Sequence, residues 1–317
     1  MKVLVTGGAG FIGSHIADRL LEAGHEVVVL DDLSTSHVEH LPARARFYQM
    51  DLSSPWLDEL FRIERPDAVA HQAAQASVRI SVDDPVFDAT VNVVGTVALL
   101  QASVRHGVRR YLFASTGGAI YGDTEAIPTP EDAPALPVSP YGAAKLAAEV
   151  YLRTFHALHG LSYAALRYAN VYGPRQDPHG EAGVVAIFTQ RLLAGEIARI
   201  NGDGKQTRDF VYVGDVAAAN LLALTSDAVG SFNVGTGVET DINRIFTIIK
   251  RLSASQQPEE HAPPKAGEQR RSVVDASKIA RVMGWQPRTG LEEGLRQTVQ
   301  YFRESRAGRP AVPAPPG

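Results

Sequence analysis

The stretch Gly7-Gly8-Ala9-Gly10-Phe11-Ile12-Gly13 constrains this chain more than any other part of it. It follows a short apolar run at residues 3–6 and opens a helical pattern at residues 11–23. Glycines at such a junction permit a tight turn, close approach of backbone N–H groups to a phosphate, and tight packing of a helix on a strand. The helix N-terminus adds about half a positive charge at the same place. A second apolar run ends at Asp31, 18 residues after Gly13. A carboxylate there accepts hydrogen bonds from a ribose and repels a 2′-phosphate. Gly7, Gly10, Phe11, Ile12, Gly13 and Asp31 are therefore expected to bind a dinucleotide, NAD in preference to NADP.

Further β-branched and aromatic runs at residues 27–30, 46–49, 68–71, 111–115 and 163–168 read as buried strands. Helical patterns lie between them at residues 11–23, 85–106 and 141–159. Repeated strand–helix–strand units predict an α/β fold, a doubly wound parallel sheet covered on both faces. After Tyr168 come polar loops at 174–183 and 202–209, helices at 213–225, 241–252 and 291–302, and a strand at 232–234 returning to the first sheet. The expected division is a dinucleotide-binding domain of 1–170 plus about 211–236, and a smaller interleaved α/β substrate-binding lobe of 171–210 plus 237–306. Residues 307–317 contain four prolines and read as a flexible tail.

A net charge of −4 gives no basic field for nucleic acid or an anionic membrane. The absence of cysteine excludes disulfides and thiolate chemistry and suits the cytoplasm. No secretory signal is seen at the N-terminus, and no apolar run approaching the ~20 residues of a membrane span is expected. The paired histidines 37/40 and 156/159 lack further ligands, so no metal is expected. Asp83 and Asp84, before Pro85, read as a helix cap.

Tyr141 and Lys145 lie four residues apart just after Pro140, one turn apart on one helix face. A nearby ammonium favours the phenolate, which predicts a tyrosine pKa below its usual value of about 10. Such a tyrosine can take a proton from a sugar hydroxyl while a hydride leaves the same carbon. Thr116 closes a run at 113–116 that reads as a central strand end, where doubly wound folds present ligand-contacting groups.

With these motifs, the segments Asp51-Leu52, His71-Gln72-Ala73-Ala74, Asn92-Val93-Val94-Gly95-Thr96, Arg208-Asp209-Phe210-Val211 and Lys265-Ala266-Gly267-Glu268 make the chain resemble the extended short-chain dehydrogenase/reductase family, over residues 1 to 306. Within it the chain is most similar to the enzymes that epimerise UDP-sugars at C4. The resemblance implies a Rossmann sheet, NAD as cofactor, a UDP-sugar substrate, and a homodimer built as a four-helix bundle from the helices at 85–106 and 141–159. It implies Thr116 as the catalytic hydroxyl, Tyr141 as the base and Lys145 as its orienting partner. It also implies cofactor contacts from Asp32, Ser36, Asp51, Leu52, Gln72, Ala73, Ala74, Asn92, Ser115 and Tyr168. Asp51 reads equally as a cap, and Asn92 equally as part of a polar helix face. Substrate contacts fall to Thr116, Asn170, Arg208, Lys265, Glu268 and Ser272.

Related dehydratases and decarboxylases carry an acid just after the catalytic hydroxyl; here Gly117 and Gly118 follow, which favours epimerisation. Lys265 stands where the family generally has a second diphosphate-binding arginine; either Arg270 and Arg271 compensate or the nucleotide is held differently. Ser272, small beside the sugar C2 substituent, leaves room for an N-acetyl group. A UDP-uronate epimerase, a dehydratase, a decarboxylase or a non-catalytic NAD sensor are the other readings. Tyr121-Gly122-Asp123 resembles a family loop near the substrate, or is simply a turn.

Overall fold

The computed structural model describes residues 1–179, 183–264 and 269–307. Lys265, Glu268 and the predicted tail from 308 onward lie outside the described residues. The order along the chain opens with β1 (Lys2–Thr6), α1 (Phe11–Glu22), β2 (Glu26–Asp31), β3 (Arg46–Gln49), α2 (Leu57–Glu64) and β4 (Ala68–His71). It continues with α3 (Val78–Asp83), α4 (Pro85–Ala89), a π-helical turn (Thr90–Val94), α5 (Gly95–Arg105), β5 (Arg110–Thr116), α6 (Pro140–His159) and β6 (Ser162–Tyr168).

The sheet runs β3-β2-β1-β4-β5-β6, all neighbours parallel, and is closed at its far edge by β10 (Gly230–Val234) beside β6. This is the doubly wound Rossmann arrangement. Strand order reverses between β1 and β4, and the crevice at such a reversal is where these sheets take ligands.

The strands are apolar on both faces because helices cover both. Val3 and Val5 face α1 and the later helix α8 (Val213–Thr225), together with Ile16, Leu20 and Val216. Leu4, between them, faces α2, α5 and α6 with Phe61, Leu99 and Leu152. This is the period-two alternation of a strand working at full burial.

The rest of the chain builds a second lobe. β7 (Asn170–Tyr172), β9 (Thr207–Tyr212), β11 (Glu239–Asp241) and β13 (Arg271–Ser272) form one small sheet. β8 (Arg199–Asn201) pairs with β12 (Glu260–Ala262), and α7 (Val184–Leu193), α9 (Ile242–Ser253) and α11 (Leu291–Ala307) pack around a core of Phe188, Phe246 and Leu295. α10 (Ser277–Met283) returns to the large sheet against β10.

Three expectations change. The helix expected at 85–106 is interrupted by the π turn, and residues 207–209, expected in a loop, begin β9. The third concerns membrane-scale hydropathy. The run Pro85–Arg105, 21 residues with mean hydropathy 1.3, is long and apolar enough by composition to cross a bilayer. A search for an unbroken apolar stretch misses it because Asp88 and Asn92 interrupt it. In the fold 44% of its most apolar window is buried within the protein, and those two polar side chains are hydrogen-bonded inside.

Candidate active site

The glycine turn is built as a cradle that side chains would fill. Gly7 has φ +66, and a Cβ on it would lie 2.6 Å from Ala73 N. At Gly13 a Cβ would lie 2.1 Å from Gly7 O, so α1 could not sit this close to the turn. Gly10 caps α1 without any side-chain hydrogen bond, leaving the first backbone N–H groups, those of Phe11, Ile12 and Gly13, for a ligand.

Asp31 ends β2 at 5% exposure, its carboxylate oriented by Ala9 N (3.0 Å), Leu33 N (2.9 Å) and Ser36 Oγ (2.5 Å). Ser36 thus acts on Asp31. Asp32 is spent on a local turn, accepting from Ser34 N and Oγ, and Asp51 caps its own turn through Ser53 N and Oγ. Leu52 is buried against Gly95. Across the crevice, Ala73 N donates to Thr6 Oγ1 at 3.3 Å, Ala74 follows it half-buried, and Gln72 leaves a buried Nε2 without a partner among the described residues. A phosphate cradle, an uncapped helix, an oriented carboxylate and an orphaned amide together fit a dinucleotide.

The catalytic candidates come from β5 and the start of α6. Ser139 Oγ caps α6 by accepting Gly142 N at 3.2 Å, and Pro140 fixes the first turn. Gly142 lets this end close on the loop after β5, since a Cβ there would lie 2.5 Å from Ala119 O. Lys145, 3% exposed, donates from Nζ to Ala114 O at 3.0 Å and stands over the rings of Phe113 (4.9 Å) and Tyr141 (5.8 Å).

This arrangement reverses the expected tyrosine shift. Burial, then the field of Asp88, pushes the Tyr141 phenol up to about 12. Burial also brings the Lys145 ammonium down to about 8, with Asp88 opposing it. The four-residue spacing delivers proximity, but the ammonium points at a carbonyl and ring faces, so desolvation dominates.

Thr116 and Ser115 separate as neighbouring strand residues must. Thr116 Oγ1 accepts Ala119 N at 3.1 Å, on the side of the glycine loop. Ser115 Oγ donates to Glu149 at 2.5 Å, within a buried cluster that includes Arg167 and Ser231, so its side chain is engaged on the opposite face of β5 from Thr116. Tyr121 belongs to that same interior: its hydroxyl accepts from Arg167 and donates to Asn233. Tyr168, expected beside the nicotinamide, is 6% exposed; its hydroxyl contacts Gln72 (3.3 Å) and accepts from Asn220 (2.8 Å).

The second lobe meets this end of β5 at Gly118. A Cβ placed there would lie 3.9 Å from Ser272 Oγ, 3.9 Å from Thr116 Oγ1 and 4.0 Å from Asn170 Oδ1. Three of the expected substrate-binding side chains thus converge on one small space. Arg208 pairs across the small sheet with Ser272 and Thr240, and its Nη1 donates to Thr207 O at 2.8 Å. Arg270 and Arg271, the expected substitutes for a second phosphate arginine, each make a two-bond ion pair, with Asp203 and Glu239 respectively.

Asn92 is neither on a polar face nor open to a ligand by its side chain. At 2% exposure it donates to Gln75 O and Asp88 Oδ1 (both 2.9 Å) and accepts Gln75 N. Sequence reading missed Asp88 and Gln75 in this cluster. Asp88 stands four residues before Asn92, on the same helical face, and that spacing was the available signal.

A family model described as the NAD dependent epimerase/dehydratase family matches residues 3–235. The UDP-glucose 4-epimerase of Mycolicibacterium smegmatis is 50% identical over 310 residues, spanning 96% of this chain and 99% of that protein. The structure of a UDP-glucose 4-epimerase from Thermotoga maritima with UDP-glucose is similar at a TM-score of 0.95 and 49% identity, over 96% of this chain and 100% of that one. The UDP-glucose 4-epimerase of Thermus thermophilus in complex with NAD gives a TM-score of 0.91 and 48% identity, over 96% and 99%.

Proposed function

The chain belongs to the NAD dependent epimerase/dehydratase family, and from that premise we propose that it interconverts the C4 epimers of a UDP-hexose through a 4-keto sugar. The chemistry that a bound NAD would supply is reversible acceptance of the C4 hydride, which could return to either face of the keto sugar. The glycine cradle, the uncapped end of α1 and Asp31 hold the pyrophosphate and adenosine ribose. Tyr141 removes the proton from the sugar O4 and later restores it, while Thr116 hydrogen-bonds the same oxygen. Lys145 supplies a positive charge beside the phenol. Lowering that phenol from about 12 to near 7 takes about 7 kcal/mol, which the chain alone does not provide. A bound NAD would place its positive nicotinamide in the site, and that charge would favour the phenolate.

The observation that carries epimerisation over dehydration is the pair of glycines after Thr116. A Cβ at Gly117 would lie 2.7 Å from Val274 Cγ1, so an acid there would force that side chain to move. Gly118 faces the substrate space and offers no proton donor. The 4-keto sugar is left to turn over and be reduced again.

Asn170, Arg208, Lys265 and Glu268 hold the diphosphate and nucleotide in this reading, with residues 171–210 and 237–306 acting as the substrate lobe. Ser272, at the Gly118 convergence, is small enough to admit an N-acetyl group at C2, so UDP-N-acetylhexosamines are substrates too. Ser272→Tyr then suppresses turnover of acetylated sugars selectively; equal loss on both classes would defeat the assignment.

The exposed apolar side chains Val86, Phe87, Val94, Val150 and Leu158 lie on α4, the π turn and α6. Two copies joined there form a four-helix bundle, which explains why so apolar a helix is only 44% buried in one chain. Val94→Asp with Leu158→Asp gives a monomer by light scattering; a wild-type monomer at micromolar concentration counts against the dimer. The cytoplasm is the compartment this reading assigns.

The deciding experiment incubates pure protein with a panel of UDP-hexoses and identifies the products by chromatography and mass. C4 epimers at constant mass support the proposal. Loss of water or CO2 moves the chain to the dehydratase or decarboxylase branch, and bound NAD with no change in any sugar leaves a sensor.

A further inference from the structure

Asp88 lies in α4, and α4 packs on α6, the helix that carries Tyr141 and Lys145. It is 1% exposed. Its Oδ1 accepts from the side-chain amides of Gln75 (2.7 Å) and Asn92 (2.9 Å). Its Oδ2 is equally buried and has no hydrogen-bond partner among the described residues. Removing an ionised carboxylate from water is costly unless other charges and donors offset it. Two neutral amides on one oxygen do not call for a charge, since the Oδ1 of an asparagine would accept both. The field of Asp88 reaches both members of the dyad, opposing ionisation of the phenol and favouring the ammonium.

We propose that Asp88 is the fixed counter-ion of the active site, a positioning residue whose negative charge offsets the Lys145 ammonium. The proposal rests on Tyr141 and Lys145 forming the working dyad. With Asp88 and Lys145 both charged and Tyr141 neutral, these three side chains sum to zero. The positive nicotinamide of a bound NAD then leaves room for one negative charge, the Tyr141 phenolate. Without Asp88 the same site carries one excess positive charge throughout, which makes the phenolate easier to form and the ammonium harder to keep.

Other charged groups on the elements packed against α6 are engaged elsewhere. On α3, exposed Arg79 pairs with Asp83 at 3.7 Å. On α5, Arg105 pairs with Asp58; on β5, Arg110 donates to Ala223 O and Ser162; on β6, Arg167 pairs with Glu149 of α6 itself. His71 on β4 is buried and neutral, with Lys145 among the causes.

The test uses the NAD-bound protein and Asp88→Asn, which keeps the shape and an acceptor for both amides. The phenol of Tyr141 is titrated by its near-ultraviolet phenolate absorbance, with Tyr141→Phe as the blank. The pH profile of kcat is measured alongside. The expected result is a phenol midpoint about one pH unit lower, with both limbs of the rate profile displaced the same way. Asp88→Glu keeps both near the wild-type values. Should Asp88→Asn fail to fold, Asp88→Ser removes the charge while leaving room for a water between Gln75 and Asn92.

A lower kcat or Tm with the midpoint and both limbs unmoved overturns the proposal, since a purely structural residue behaves that way. Absence of turnover in the wild type would instead sink the proposed reaction, and the absorbance titration still decides the role of Asp88.

Discussion

Lys145 occupies a place that water does not reach, and its ammonium is held down to about 8 from the usual 10.5. Between pH 8 and about 10.5 the unfolded chain therefore binds more protons than the folded one, and stability rises with pH through that window. Below pH 8 the fold carries the whole penalty, about 3 kcal/mol. Lys145→Met is predicted to raise Tm at pH 7 and to remove the gain in stability above pH 8. Epimerisation falls by about 10²–10⁴-fold in the same variant. Melting curves across pH 7 to 10, with an activity assay beside them, check both parts. The residue was visible in the sequence as a partner for Tyr141, but the sign of its effect was not. Spacing fixes which helix face two groups share, whereas the pKa depends on how much water the rest of the fold removes. Ser115 teaches a related lesson. Strand alternation alone forbids it from facing the same side as Thr116, and the Glu149 carboxylate that receives its hydroxyl could only come from the assembled fold.

At the scale of elements, the junction of β1 with α1 is the most tightly determined. Gly13→Ala puts a methyl 2.1 Å from Gly7 O, so α1 must retreat or the turn must open. The predicted outcome is a loss of roughly 1–3 kcal/mol in stability and purification without bound NAD, read by denaturant melts and by nucleotide released on acid treatment. Retained NAD at wild-type stoichiometry would mean that the phosphate cradle is elsewhere. The β-strands of the large sheet were legible because burial on both faces makes each a short apolar run. β9 was not, for its Arg208 and Asp209 follow a polar, glycine-bearing turn and its partners β7, β11 and β13 come from distant parts of the chain. The π turn was also hidden: residues 90–94 fit an α-helical pattern, and only the inward side chain of Asn92, bonded to Gln75 and Asp88, marks the widened turn.

Across the whole molecule, the crevice is braced by a directional chain of hydrogen bonds. Ala73 N donates to Thr6 Oγ1, which contacts His71 Nδ1 at 2.7 Å; His71 Nε2 meets Thr96 Oγ1 at 3.0 Å, and that hydroxyl donates to Asn92 O. Because Thr96 spends its proton on Asn92, His71 must donate from Nε2 and accept at Nδ1. Burial, reinforced by Lys145, takes this imidazole down to about 3. As pH falls from 6.5, the unfolded chain takes a proton that the folded one refuses, so stability is lost by about 2 kcal/mol on reaching pH 5. His15, held down to about 4 mainly by burial, adds to the loss with the same sign. Urea melts at pH 7 and pH 5 are predicted to show a steeper acid loss for wild type than for His71→Gln. The same brace ties the glycine turn to the helical segment packed on α6, which carries Tyr141 and Lys145, the residues proposed for the proton chemistry. The most direct test of that chemistry is the fate of the C4 hydrogen. A UDP-hexose carrying deuterium at C4 is predicted to give the C4 epimer with the deuterium still at C4 and the mass unchanged, and Tyr141→Phe to give almost none. Product that has exchanged its C4 deuterium for solvent hydrogen, or that forms at undiminished rate without the tyrosine hydroxyl, would contradict the account.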